Sequence, residues 1–419
     1  MNIKDICQKI EEEKNELFEL LTSLIKINSE NFSSYGNEEN MAKQLDVLCR
    51  ELGLETDVFS PLELDGFTNH PDYLPGRNLE NRYNMVARWH GETDCDELML
   101  MAHEDTVEIG DRNNWDFDPL QGIIKDGKIY GRGACDDKYA IATVLFVIKL
   151  LKKLGFTPKK NLLFAAYSDE EHGGSHGALS CVLKYPCEKI VSMDGREGQI
   201  WHCASGGGEI KYLFHTKEAT DTADVAARAI PVILDEMKHF GDNRRKELEE
   251  NIFYNGTIIP QKALRYMGIR VGNDGADLGH GEIIADFYSD KTKDIIEDEL
   301  KGIEKNLFDK LNKMGIVGDG FVPNTRYFHY VYCKPDSEDI KLMLEASKEA
   351  TGNELLVCGS AQSDLSVISK YGSDSAFGFG AGRDFSKEGG AHQANEFIEC
   401  DKLLEYAKTI AAYVVKVLS

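Results

Sequence analysis

Between Leu98 and Asp105 the chain reads L-M-L-M-A-H-E-D, an apolar run that ends in a histidine with a carboxylate two positions beyond it. A continuous apolar run bounded by polar residues is the pattern of a strand buried on both faces, inside a parallel sheet covered by helices. The C-terminal edge of such a sheet is where open α/β folds bind ligands, and His103 stands at that edge. Residues i and i+2 of an extended chain point the same way. Asp105 can therefore hold the His103 imidazole, fix its tautomer and raise its basicity as a metal ligand. Taken alone, the pair fits a plain polar strand terminus equally well.

The pattern repeats downstream. Gly131-Arg132-Gly133-Ala134-Cys135-Asp136-Asp137-Lys138 opens a long apolar helix that runs to about Leu154. Asn161 to Tyr167 is an apolar strand ending in Ser168-Asp169-Glu170-Glu171-His172-Gly173-Gly174, and Lys189 to Met193 is another ending in Asp194-Gly195. Strands alternating with helices signal a parallel sheet with crossover connections. Upstream, residues 5–28 and 37–52 have helical apolar spacing, Thr56 to Leu64 and Asn84 to Trp89 read as strands, and Gly66 to Arg82 reads as loop. Asp126-Gly127 between short β-prone runs is a type I′ hairpin signal.

The order changes at Ser205-Gly206-Gly207-Gly208. Strand Glu209 to His215, helix Thr222 to Phe240, a polar glycine-bearing segment from Gly268 to Gly281, strand Ile283 to Tyr288, helix Lys291 to Leu311 and strand Phe321 to Cys333 suggest an inserted α+β domain. After Pro335 the α/β pattern resumes and ends in a glycine-rich loop, Gly380 to Gly390, then Ala391-His392-Gln393-Ala394-Asn395-Glu396 and a final helix from Asp401. The expected architecture is α/β, with residues 1–204 and 334–419 forming a catalytic domain and 205–333 an inserted lid domain. A length of 419 residues suits that organisation.

Composition narrows the function classes. Hydrophobic residues make up 42% and charged residues 29%, as in a packed globular protein. A formal net charge of −24 argues against nucleic acid or an anionic membrane as partner, since both need basic surface. The ten cysteines include no C-x-x-C pair and are scattered, which suits reduced thiols in a cytoplasm. The N-terminus lacks a signal-peptide core. The longest apolar stretch, Ala140 to Leu151, is interrupted by Lys149 and is too short to span a bilayer.

His103, Asp105, Asp136, Glu170, Glu171, Asp194 and His392 together make a mixed nitrogen and oxygen donor set. It suits zinc, manganese or cobalt better than a thiolate structural site. Five ligating side chains exceed what one open catalytic zinc needs, and two ions sharing a carboxylate account for the surplus. Such a pair could polarise a carbonyl and supply a hydroxide, while a remaining carboxylate moves the proton to the leaving amine. Each member has a plainer reading: Asp136 and Asp137 as helix caps, Glu170 and Glu171 as first-turn glutamates, Asp194-Gly195 as a turn. His392, in a glycine-rich loop, is harder to explain as core.

With these motifs in order, the sequence resembles the dinuclear-metal family of aminoacylase, glutamate carboxypeptidase, acetylornithine deacetylase, carnosinase and bacterial dipeptidases. The matching stretches are His103 to Val107, Tyr130 to Lys138, Ser168 to Gly174, Met193 to Gly195 and Ala391 to Glu396. The resemblance implies two divalent ions, zinc first and manganese or cobalt as alternatives. His103 and Asp194 would bind one ion, Glu171 and His392 the other, and Asp136 would bridge them. Asp105 would orient His103, and Glu170 would act as general base and then acid. The implied fold is a catalytic α/β domain with an inserted lid that often mediates dimerisation, so the lid is a candidate homodimer surface.

The lid also departs from the family. The histidine that usually follows the first lid strand and holds the oxyanion has no clear counterpart; His215 reads as an ordinary strand-end residue and His280 as an alternative donor. Arg265, Arg270, Arg326 and Arg383 are candidates for a substrate carboxylate, which favours a bidentate arginine. The expected activity is hydrolysis of an amide next to a free carboxylate in a dipeptide or small peptide. N-acyl-amino-acid deacylation by the same site is the alternative, and a non-catalytic metal-binding relative is a third reading.

Overall fold

The computed structural model of the chain describes residues 1–218, 222–251, 260–273 and 278–419. They divide into two compact units. One comprises Met1–His202, Tyr332–Cys358 and Val367–Ser419; the other comprises Cys203–Val331 with Gly359–Ser366.

The first unit is built on a mixed sheet. Its spatial order is Glu55–Phe59, Asn84–Trp89, Asn161–Tyr167, Asp96–His103, Lys189–Ser192, Phe377–Phe379 and then Gln199–Ala204. Asn161–Tyr167, Asp96–His103, Lys189–Ser192 and Phe377–Phe379 are parallel neighbours, and the strands flanking them are antiparallel. From Leu98 to His103 no residue is more than 1% exposed, as a strand covered on both faces requires. One cover is the helix Lys138–Lys153, in which every residue except Lys149, Lys152 and Lys153 is buried. It packs against helices Lys14–Ile25 and Cys400–Leu418.

A small second sheet joins Ile123–Lys125, Lys128–Tyr130 and Phe397–Glu399. Its hairpin turns at Asp126 and Gly127, both at positive φ (50° and 73°), as a type I′ turn demands. Pairing of Phe397 with Tyr130 brings the segment after His392 against the segment before Asp136.

The second unit has one antiparallel sheet in the order Leu264–Asn273, Gly279–Ser289, Gly206–Thr216, Ile316–Pro323. Helices Ala229–Glu250 and Lys293–Lys313 pack on it through Ile233, Met237, Phe240, Leu300, Ile303 and Leu307.

Several elements differ from the sequence reading. The expected helix over 5–28 breaks at Glu13 into Ile3–Glu12 and Lys14–Ile25. The apolar stripe of Ile3, Ile6 and Ile10 stops there, and the break lets Leu17, Leu21 and Leu24 bury on a new phase. The first strand ends at Phe59, because Ser60 caps a short 3₁₀ turn that begins with Pro61. The helix expected over Thr222 to Phe240 is two, Ala223–Ala227 and Ala229–Glu250. The glycine-bearing segment read as polar is mostly strand, with Gly268 and Gly272 in Leu264–Asn273, while Gly275 lies outside the described residues. The strand expected over Phe321 to Cys333 ends at Pro323 and resumes only at Val331–Tyr332. Among the described residues, no helix is long and apolar enough to cross a membrane.

Candidate metal centre

Strand register decides which residues can meet. His103 is the last residue of its strand and lies opposite Tyr167; Met101 lies opposite Ser192. Glu170 and Glu171 therefore follow one neighbouring strand end, and Asp194 follows the other. All three ends lie on the carboxyl edge of the parallel strands.

The His103 ring is buried, with Nδ1 3.0 Å from the backbone oxygen of Asp105 and Nε2 2.9 Å from Oδ1 of Asp136. The other oxygen of Asp136 lies 3.4 Å from Nε2 of His392, which in turn lies 2.7 Å from Oε2 of Glu171. One carboxylate thus stands between two imidazole nitrogens, and Glu171 closes the far side. His392 holds a left-handed backbone conformation, φ 64°, of the kind that persists only where surroundings fix it. The donor atoms of His103, Asp136 and Glu171 lie within 4.8 Å of one another. These are imidazole and carboxylate donors, so the residues present fit divalent zinc, manganese or cobalt. Asp194 stands at the adjoining strand end; burial pushes the pKa of Asp137, Tyr139 and Tyr406 up, and the Asp194 charge adds to the rise, so all three resist ionisation.

Asp105 meets His103 more closely through its backbone than through its side chain. Its carboxylate is 3.8 Å from His103 Nδ1, while its backbone oxygen makes the short contact. The strand ends at His103, so the alternation that would aim both side chains together stops there. The carboxylate instead accepts the N–H groups of Glu170 and Glu171, at 3.0 and 3.1 Å, and the Asn31 amide at 2.8 Å.

The electrostatics favour cations. Burial alone would lower the proton affinity of His103, but the hydrogen bond to Asp136 and the charge of Glu170 raise it well above the ordinary histidine value. Burial likewise works against His392, and Glu171 and Asp136 push it up to about 11. Burial would raise Asp136, yet its two histidine partners hold it below the usual carboxylate range. A centre that holds protons this strongly attracts divalent cations by the same field.

Two ties that sequence reasoning missed hold the loops in place. Glu396, fully buried, accepts the Cys135 N–H at 2.9 Å and pairs with Arg132, so the loop after His392 grips the turn before Asp136. The Tyr139 hydroxyl donates to Met193 O at 3.1 Å and accepts from Ala381 N–H at 2.9 Å, joining the Asp194 strand end to the Gly380 loop. Glu396 lay within a recognised motif without a role; nothing in the pattern around Tyr139 singled it out.

The lid histidines belong to the second unit. His215 and His280 face each other across adjacent strands, and His215 Nδ1 lies 3.0 Å from Asp319. All four candidate arginines already face carboxylates: Arg265 on Asp286, Arg270 on Glu282 at 2.7 Å, Arg326 near Asp364 and Arg383 near Glu399, the last two at 3.5 Å.

The pattern of peptidase family M20/M25/M40 matches residues 99–416. An uncharacterized metallohydrolase of Methanocaldococcus jannaschii is 23% identical over 379 residues, covering 80% of this chain and 88% of that protein. A succinyl-diaminopimelate desuccinylase of Buchnera aphidicola subsp. Cinara cedri is 32% identical over 151 residues, 35% of this chain and 38% of its own. Among solved structures, the dipeptidase Dug1p from Saccharomyces cerevisiae aligns with a TM-score of 0.74 at 16% identity over 98% of each chain. Human carnosine dipeptidase 1 aligns with a TM-score of 0.70 at 15% identity over 99% of each chain. The family pattern spans the strand ends and the returning C-terminal segment alike, and the chain belongs to peptidase family M20/M25/M40 as a metal-dependent hydrolase of peptide or amide bonds.

Proposed function

We propose that the enzyme cleaves the amide bond of a dipeptide or small peptide next to a free carboxylate. The observation that carries this reading is the Asp136 carboxylate standing between Nε2 of His103 and Nε2 of His392. In this reading His103 and Asp194 would hold one divalent ion and Glu171 and His392 a second, with Asp136 between them. Zinc is the first candidate, manganese and cobalt the alternatives. Bound there, divalent ions would supply Lewis-acid polarisation of the scissile carbonyl and a lowered pKa for water. Glu170 takes the proton from water and passes it to the leaving nitrogen. Its placement by Asp105 beside His103 supports that role. Arg383, on the loop that delivers His392, is the first candidate for the substrate carboxylate.

The full-length likeness to dipeptidase folds supports the peptide reading. The desuccinylase relative supports the alternative, an N-acyl-amino-acid substrate at the same centre. We place the enzyme in the cytoplasm, consistent with ten free cysteines, and the second unit is the candidate surface for a homodimer.

The deciding experiment strips the protein of metal, reconstitutes it in parallel with zinc, manganese and cobalt, and assays dipeptides against N-acyl amino acids. Turnover of dipeptides supports the proposal, and turnover confined to acyl substrates selects the alternative. Two bound ions with no turnover on either panel would make the protein a non-catalytic relative.

A further inference from the structure

The segment from Gly66 to Arg82 has no part in the chemistry above, yet it sends two guanidiniums to one carboxylate beside the centre. Arg77 Nη1 lies 3.0 Å and Arg82 Nη1 2.8 Å from Oδ1 of Asp169, the residue before Glu170. The other oxygen, Oδ2, faces His176 Nδ1 at 2.5 Å. His176 Nε2 accepts the Leu74 N–H at 3.1 Å, so the ring proton sits on Nδ1 and is donated to Asp169. No side chain in this group is more than 4% exposed. The Asp169 carboxyl is therefore held from three directions.

Its backbone shows what the fixing achieves. Asp169 has φ 65°, a left-handed conformation that a non-glycine residue keeps only when its surroundings enforce it. That turn aims the next two N–H groups, those of Glu170 and Glu171, at the Asp105 carboxylate. Arg77 adds a bond to Ser33 O at 2.8 Å and another to the His172 carbonyl, so one guanidinium braces the loop beyond the glutamate pair as well as before it. The fit is tight: a Cβ on Gly174 would stand 2.0 Å from Oδ2 of Asp169.

We propose that Arg77 and Arg82 are positioning residues, which lock Asp169 in its left-handed turn and so set where the Glu170 and Glu171 carboxylates stand. This rests on the reading of Glu170 as the base. Arg77 is the cleaner probe, because Arg82 also pairs with buried Glu38.

The test compares full-length, zinc-loaded wild type with Arg77→Gln, Arg77→Lys and Arg77→Ala. Amide hydrogen exchange in Arg77→Gln should speed up at least tenfold at Glu170 and Glu171 while the strand Asn161–Tyr167 stays protected. The kcat on the best substrate of the panel should fall at least tenfold with KM within about threefold, and added guanidinium should recover part of the activity of Arg77→Ala. Unchanged exchange at Glu170 and Glu171, or unchanged kcat, overturns the proposal. If Arg77→Gln does not fold, Arg77→Lys, which keeps the charge and loses the fork, must show the same local exchange increase or the proposal fails. Exchange is read without turnover, so an inactive wild type or a fully active Glu170→Gln would defeat the base assignment while leaving the clamp separately tested.

Discussion

Asp105 holds Glu170 by its backbone: both oxygens of the Asp105 carboxylate lie within reach of the Glu170 N–H, at 3.1 and 3.0 Å. A buried carboxylate that accepts two peptide N–H groups and an amide has no spare partner to lose. In Asp105→Asn one oxygen becomes a donor facing donors. An unsatisfied buried group of this kind costs about 1–3 kcal/mol. Displacement of the support behind a metal site typically lowers affinity or activity about 10–100-fold. Urea melts and steady-state kinetics on the variant check both, and wild-type values in either would show that the Asp105 contact is dispensable.

Glu170→Gln keeps the side-chain shape and the backbone bond to Asp105 but cannot carry a proton between water and the leaving nitrogen. The expected result is retained metal content with turnover reduced about 10²–10⁴-fold. Metal analysis beside the kinetic assay checks it. Undiminished turnover would remove Glu170 from the mechanism.

Removal of divalent ions leaves Asp136, Glu170 and Glu171 crowded around two histidines. A ligand present at a hundred times its dissociation constant stabilises the folded state by about 2.7 kcal/mol. Dialysis against a chelator should therefore lower the melting temperature, and readdition of zinc should restore it. A melting curve indifferent to chelator would contradict the assigned centre.

Glu38 supplies a pH dependence away from the metal residues. Burial pushes its carboxyl up to about 8; Arg82 beside it opposes the rise, and the charges of Asp105 and Asp169 add to it. Below the ordinary value of 4.5 the group is protonated in folded and unfolded chains alike. Between there and about pH 8 the folded state keeps a proton that the unfolded chain releases, so this group's stabilising contribution is lost as pH rises. Glu38→Gln removes the effect. Its stability relative to wild type should improve by at least about 1 kcal/mol from pH 5 to pH 8, less than one pKa unit is worth. Urea titrations at both pH values measure it, and parallel curves would refute it.

Much of the first unit is legible because apolar runs report burial directly. Leu98 to His103 could only be an inner strand, and its two parallel neighbours announce themselves the same way. What pattern could not reveal depends on direction. The i, i+2 rule aimed Asp105 at His103, but it holds only within a strand, and the strand stops two residues short of Asp105. Glycine weakens strand propensity, so the stretch from Gly268 to Gly281 read only as a polar segment; the antiparallel pairing of Leu264–Asn273 with Gly279–Ser289 overrides that weakness. Arg77 and Arg82 were invisible for a third reason. They sit in a segment without periodicity, and their importance exists only through a carboxylate about ninety residues away.

The strand Phe377–Phe379 completes the sheet beside Lys189–Ser192, although the second unit intervenes between them in the chain. On the ribosome this order becomes a delay. At about 5–20 residues per second, roughly ten to forty seconds separate synthesis of the two strands. During that time Lys189–Ser192 has one unpaired edge, the kind of surface that recruits foreign strands. His392 and Glu396 emerge later still. The nascent chain therefore carries the Asp136 and Glu171 carboxylates well before the loop that brings His392 beside them.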